Sequence, residues 1–210
     1  MLTKTRNDNM YEFNFQIKGG AILFLPVNLY NYFNNIGVTS EENIDEGNLT
    51  LFGSSLPKEG PFNEEVFYFE NIPFYLKKKL KFDNVAMEGQ EIEINSLNVN
   101  KVHIVGSSTS GSYFDNIIFK DRNGGIVTHK LKLSDFILEK PLFKENKLFY
   151  RFSKVNNKGP IALKGSLWKQ TLSFEENIDL QNIILLDNPF MHIFAITIET
   201  SLKGGDQNEF

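Results

Sequence analysis

The chain has 210 residues, no cysteine, and 22 basic against 26 acidic side chains, for a net charge of −4. The absence of cysteine excludes disulfides, zinc–thiolate sites and a cysteine nucleophile, and the acidic balance argues against nucleic acid, which asks for a clustered basic face. The length fits one large β-sandwich, and 20 phenylalanines can fill its core. A chain of this size buries about 70% of its unfolded surface without help from a metal.

The first fifteen residues, MLTKTRNDNMYEFNF, lack the long apolar region of a signal peptide. Ala21–Val27 is apolar but broken by Pro26, far below the ~20 residues that span a bilayer. A cytoplasmic location is therefore the default expectation, with no membrane span and no nucleic-acid partner. Tyr11–Ile17 alternates apolar and polar residues as a half-buried strand does, and Gly19-Gly20 turns it into a second strand at Ala21–Leu29. A single helical turn fits Leu29–Phe33. The polar stretch Asn34–Gly53 predicts a long loop with a short strand at Asn48–Phe52. Gly60-Pro61 marks a turn, followed by short aromatic strands at Val66–Phe69 and Ile72–Leu76, the latter pushed toward an edge by Pro73. The basic run Lys77–Lys81 reads as a solvated edge or loop.

Glu91–Leu97 alternates again after a turn at Glu88-Gly89. Lys101–Phe136 then predicts three short strands punctuated by a Gly/Ser-rich turn and by the tight turn Asp121–Gly125. A helical turn fits Ser134–Leu138. Further strands are expected at Leu148–Phe152, Gly165–Leu172, Ile178–Leu185 and His192–Glu199, with a turn at Asn156–Pro160. Gly204–Phe210 reads as a frayed tail, leaving residues 1–203 as one domain. No segment carries sustained helical spacing. Short strands separated by turn signals predict an all-β fold, an antiparallel β-sandwich of jelly-roll form.

Several words in order carry a resemblance. They are VNLYNYFNNIGVTSEENIDEGNLTLFGSSLP (Val27–Pro57), ENIPFYL (Glu70–Leu76), FDNVAMEGQEIEI (Phe82–Ile94) and KVHIVGSSTSGSYFDNIIFKDRNGG (Lys101–Gly125). KLSDF (Lys132–Phe136) and LLDNPFMHIFAITIE (Leu185–Glu199) complete the set. Together they resemble a β-sandwich domain of bacterial proteins, often attached to glycoside hydrolases. In that pattern the Asn-Asn pair is often followed by Asp-Gly, whereas here it is followed by Ile36-Gly37. The resemblance implies a galactose-binding-like or jelly-roll accessory module directed at carbohydrate. It carries over no catalytic residue.

The candidate ligand residues follow from chemistry that suits a sugar: a flat ring for the apolar face of a pyranose, with polar groups beside it. Trp168 is either such a platform or a core anchor between two sheets. Tyr113, Asp115 and Ser108 sit around the loop Ser107–Ser112, which gathers hydroxyls, a carboxylate and aromatics, or simply connects a hairpin. Asn43, Asp45 and Glu46, with Glu41, Glu42 and Asn48, could give a structural calcium some of its six to eight oxygens, or be solvated loop charge. The spacing is not that of an EF-hand. His103, His129 and His192 fall on separate strands. His192 shares parity with Phe194 and Ile196, so it is expected to face the core as a satisfied residue. GSSTSG lacks nucleophile-elbow spacing, and no carboxylate pair across a cleft is evident. The expected function is a non-catalytic module that binds a carbohydrate or similar polar ligand. The alternative is a structural sandwich that self-associates or docks on a partner protein through aromatic edges.

Overall fold

The computed structural model describes residues 6–7, 10–11, 13–17, 20–78 and 80–202, with side chains for 22–78 and 80–201. The expected tail at 204–210 lies outside them. Strands β1 (Arg6–Asn7) and β2 (Met10–Tyr11) pair with each other, and β3 (Phe13–Ile17) turns into β4 (Gly20–Pro26). Across the long polar loop, β5 (Val38–Thr39) and β6 (Leu56–Pro57) form a short parallel pair. An aromatic hairpin of β7 (Val66–Phe69) and β8 (Ile72–Tyr75) follows. Then come β9 (Val85–Glu88), β10 (Glu91–Ser108), β11 (Tyr113–Asp121) and β12 (Ile126–Leu133). The last elements are β13 (Lys147–Arg151), β14 (Val155–Asn156), β15 (Pro160–Ile161), β16 (Ser166–Leu185) and β17 (Asp187–Leu202).

Nine of these strands make one antiparallel sheet in the order β12-β11-β16-β10-β17-β4-β3, with β13 joined to β16 and β9 to β17. Apolar residues on its two sides build two cores. One holds Ile104, Ile117, Phe119, Leu133, Met191 and Ile193. The other is rich in phenylalanine, with Phe62, Phe74, Phe149, Phe152 and Phe194 packed under the long loop and the β7–β8 hairpin. Phe74 meets Phe149 edge-on at 5.2 Å, and each fully buried phenylalanine contributes about 1.5–3 kcal/mol by leaving water. The molecule is thus an antiparallel β-sandwich. No helix among the described residues is long and apolar enough to cross a membrane.

The central hairpins form as expected, and among the described residues β8 pairs only with β7, in keeping with Pro73. Leu29–Phe33 closes one turn, the amides of Tyr32 and Phe33 donating to the Leu29 carbonyl at 2.9 and 3.2 Å. Ser134–Leu138 is only a turn, and short 3-10 segments occur instead at Glu41–Glu46 and Gly60–Asn63. The expected strand Glu91–Leu97 and the first of the strands expected within Lys101–Phe136 belong to one 18-residue strand, β10. Asn95 and Asn98 carry left-handed backbone (φ 57° and 53°), which asparagine tolerates, so the strand kinks there without ending. The expected strand at Asn48–Phe52 does not form. That segment bends through a turn, burying Leu49 while leaving Leu51 and Phe52 83% and 82% exposed.

One irregularity shifts the register of β17 near His192. Val105 of β10 faces Ala195 of β17, yet Gly106 faces Ile193, so Phe194 is an extra residue in its strand. Such a bulge breaks the two-residue alternation. Ile196 and Ile193 therefore lie in one core and Phe194 and Ala195 in the other. His192 does not share the environment of Ile196, contrary to its sequence parity.

Candidate functional site

Two short asparagine words pack against each other below the long loop. Asp83 accepts hydrogen bonds from the amides of Gly37 (2.9 Å) and Val38 (3.0 Å) and from the side-chain Nδ2 of Asn84 (2.9 Å). Lys78 lies 3.5 Å from the same carboxylate. Asn84 Nδ2 also donates to Asn35 Oδ1 at 3.0 Å, and Asn35 Nδ2 donates to the Asn48 carbonyl at 2.9 Å. The adjacent Asn34 brackets β9: its Oδ1 accepts from the Ala86 amide at 2.8 Å, and its Nδ2 donates to Glu88 Oε2 at 2.9 Å. Burial pushes the Asp83 carboxyl up to about 6, against the pull of Lys78 and its hydrogen bonds.

Above this network opens a cleft of about 420 Å³. Asn35, Ala86 and His192 line it from the scaffold, Asn48, Thr50 and Leu51 from the long loop. Glu88, Thr109 and Phe190 complete its walls. Phe190 stacks on Tyr113, with ring centroids 5.5 Å apart and planes 16° from parallel. His192 is only 2% exposed, and its Nδ1 lies 3.0 Å from Asn84 Oδ1. Its Nε2 is buried with no hydrogen-bond partner among the described residues. Burial holds this imidazole down to about 4, so it is neutral near pH 7.

The expected ligand residues divide. Tyr113 is half-buried and backs the cleft through Phe190. Asp115 lies next to it, accepting from its neighbour's amide, Asn116 N, at 2.7 Å and from Asn188 Nδ2 at 3.3 Å. Ser108 is buried, its hydroxyl within 2.7 and 2.8 Å of the Gly111 and Leu133 carbonyls, so it holds a turn rather than facing a ligand. Trp168 is fully buried and donates its indole N–H to the Asp135 carbonyl at 3.2 Å. Its ring is the core anchor and offers no exposed stacking surface.

In the acidic loop, Asn43 Oδ1 accepts from the Ser40 amide and hydroxyl, at 2.8 and 3.0 Å, and so caps the 3-10 segment. Asn48 Oδ1 accepts from the Ile36 amide at 2.8 Å, while Asp45 and Glu46 are exposed. Both amide oxygens are thereby committed to the backbone. Among the described residues, no three His, Asp or Glu side chains come together as metal ligands would.

Elsewhere, a hydroxyl, an imidazole and a carboxylate line up across three adjacent strands. His103 Nδ1 lies 2.9 Å from Thr171 Oγ1, and its Nε2 lies 2.9 Å from Glu199 Oε2. Burial lowers the His103 pKa, so the ring donates one proton to Glu199 and accepts the threonine hydroxyl. Burial would raise the Glu199 pKa, but bonds from His103 and Lys101, the latter 2.7 Å away, outweigh it and keep the carboxylate ionised. None of these residues lines the cleft.

Asn35, Glu88 and Phe190 escaped sequence reasoning. The signal that could have found them is the set of words carrying the resemblance, since Asn34–Gly37, Phe82–Gly89, Ser107–Ser112 and Leu185–His192 converge on this cleft. A β-sandwich carrying a loop-built cleft is the class that fold and site define. The model of the AziU2-like β-sandwich domain matches residues 23–202, and the chain belongs to that family. No curated protein matches the chain.

Proposed function

We propose that this chain is a non-catalytic module that binds a carbohydrate or similar polar ligand in the cleft between the long loop and Phe190. The observation that supports this reading is the combination of a supported aromatic ring with hydroxyl, amide and imidazole groups in one concavity. A sugar presents an apolar face and a rim of hydroxyls, and this lining has a counterpart for each. Titration calorimetry against a broad panel of mono- and oligosaccharides tests it. Binding that is lost in Phe190→Ala and in Thr109→Ala bears the reading out. A flat response over the whole panel overturns it.

A second reading has its own observation. Leu51 and Phe52 are neighbours on the loop above the cleft and are almost fully exposed. Large apolar side chains placed together in water suit a protein contact, and the alternative function is docking on a protein partner or a second copy. Light scattering across a hundredfold concentration range tests self-association: a mass that rises with concentration and falls back in Leu51→Ser, Phe52→Ser supports it, and a constant monomer mass removes it.

A further inference from the structure

We propose that the cleft selects a ligand presenting a hydrogen-bond donor to His192 Nε2, namely a neutral polyol or an amino sugar, over a carboxylate or phosphate. The inference deepens the carbohydrate reading above and rests on it.

The argument begins at Asp83, whose oxygens accept from two buried backbone amides. The Asn84 group beside this carboxylate, at 2.9 Å, must be the donating NH2. The same nitrogen faces Asn35 Oδ1, itself fixed as oxygen because Asn35 Nδ2 donates to the Asn48 carbonyl. The amide orientation of Asn84 is thus set from two sides. Its Oδ1 can only accept, and it lies 3.0 Å from His192 Nδ1. That ring nitrogen must carry the hydrogen. A neutral imidazole has one N–H, so Nε2 presents a lone pair, buried and without a partner. A buried acceptor left unpaired is unfavourable, and a donor entering the cleft removes that penalty.

The rest of the lining agrees. It contains one carboxylate, Glu88, and neither lysine nor arginine. Thr50 Oγ1 accepts from the Ser54 amide at 3.0 Å, which leaves its hydroxyl hydrogen to point at a ligand oxygen. An anion would meet a fixed lone pair and Glu88 with no cation to neutralise it. A hydroxyl or ammonium meets acceptors on two sides.

Nitrogen-15 NMR of the histidine rings, recorded on the intact protein, tests this. The free protein should show His192 as the Nδ1–H tautomer. Galactose or glucosamine should move its Nε2 resonance upfield, as acceptance of a hydrogen bond does, while glucuronate and inorganic phosphate should leave it in place. His192→Leu should weaken the neutral sugar roughly tenfold, the loss of one hydrogen bond. The Nε2–H tautomer in the free protein, or an anion binding as well as its neutral counterpart, overturns the proposal. Sugar binding that shifts Thr109 and Phe190 but not His192 overturns it while leaving the carbohydrate reading intact. No binding by any of the four probes overturns this proposal, and a flat response over the whole saccharide panel overturns both.

Discussion

Gly106 sits directly against His192: a Cβ at residue 106 would lie 2.4 Å from the His192 carbonyl oxygen. This is backbone, not the movable end of a side chain, so strand β17 itself would have to shift. Gly106→Ala is expected to destabilise the fold by about 1–3 kcal/mol through overpacking. It should also move the His192 ring off Asn84. Urea denaturation reads the first effect, and the His192 ring resonances read the second.

Asp83 and His192 oppose each other over the same pH interval. Asp83 titrates at about 6 in the fold against 3.8 when free, so its contribution to stability is present below about pH 4 and lost as pH rises through 6. His192 titrates at about 4 against 6.5, so its contribution is present above about pH 6.5 and lost as pH falls through 4. Each amounts to roughly 3 kcal/mol at one unit per 1.36 kcal/mol, and together they nearly cancel. Asp83→Asn should expose the histidine slope, with stability falling on acidification from pH 6.5 to 4. His192→Phe should expose the opposite slope. Denaturation midpoints at pH 4, 5, 6 and 7 distinguish the two, and parallel profiles for both variants would contradict the assignment.

Removing Asp83 altogether strands two buried amides, Gly37 and Val38. Asp83→Ala is expected to cost about 2–6 kcal/mol, at about 1–3 kcal/mol per unpaired group. Lys78→Ala leaves both amides paired but removes the cation beside the buried carboxylate and the donor to the Val38 carbonyl at 2.7 Å, so it should cost less, about 1–3 kcal/mol. Thermal melting of the pair of variants gives the comparison.

Trp168 provides a separate check on the division between scaffold and site. Trp168→Ala should cost about 3–5 kcal/mol, as deletion of a buried aromatic does. Trp168→Phe should fold, melt lower, and bind cleft ligands with unchanged affinity. In the native protein the tryptophan emission should be that of a buried indole and stay constant during titration. A ligand-dependent emission change would place the ring nearer to the site than its burial implies.

The sequence showed the hairpin of β11 and β12 most plainly, because Asp121–Gly125 turns between two strands whose alternation is undisturbed. The continuity of β10 was hidden, since Asn95 and Asn98 look like turn residues while serving as kinks inside a strand. Trp168 was open to either reading because an indole flanked by Lys169 and Gln170 suggests a wet surface. Both flanking side chains are in fact largely buried and engaged, Lys169 with Glu70 at 3.0 Å and Gln170 with the Lys130 carbonyl at 3.0 Å. His192 is buried as expected, but the bulge at Phe194 adds one residue that pattern counting cannot see, so it lies apart from the core of Ile196, and its Nε2 lacks the partner a satisfied residue would have. The loop at Asn48–Phe52 carried strand-like residues, yet Leu49 alone turns inward, so local propensity yielded to the position of the core.

The hydrogen bonds beneath the cleft join residues far apart in the chain: Asn84 and His192 are 108 positions apart, and Asn34 and Ala86 are 52. Closing such long loops is entropically costly before any contact offsets it, so β-rich chains of this kind fold slowly. During synthesis the Asn35–Asn84 pair can assemble early, but its histidine neighbour arrives only when β17 leaves the ribosome. Until then the phenylalanine-rich half of the sandwich lacks Phe194 and the strand that closes it, and apolar surface stands open to aggregation. The cleft, lined by Phe190 and His192 of β17, is therefore complete only once that strand is in place, and a nascent protein stalled before it would be sticky.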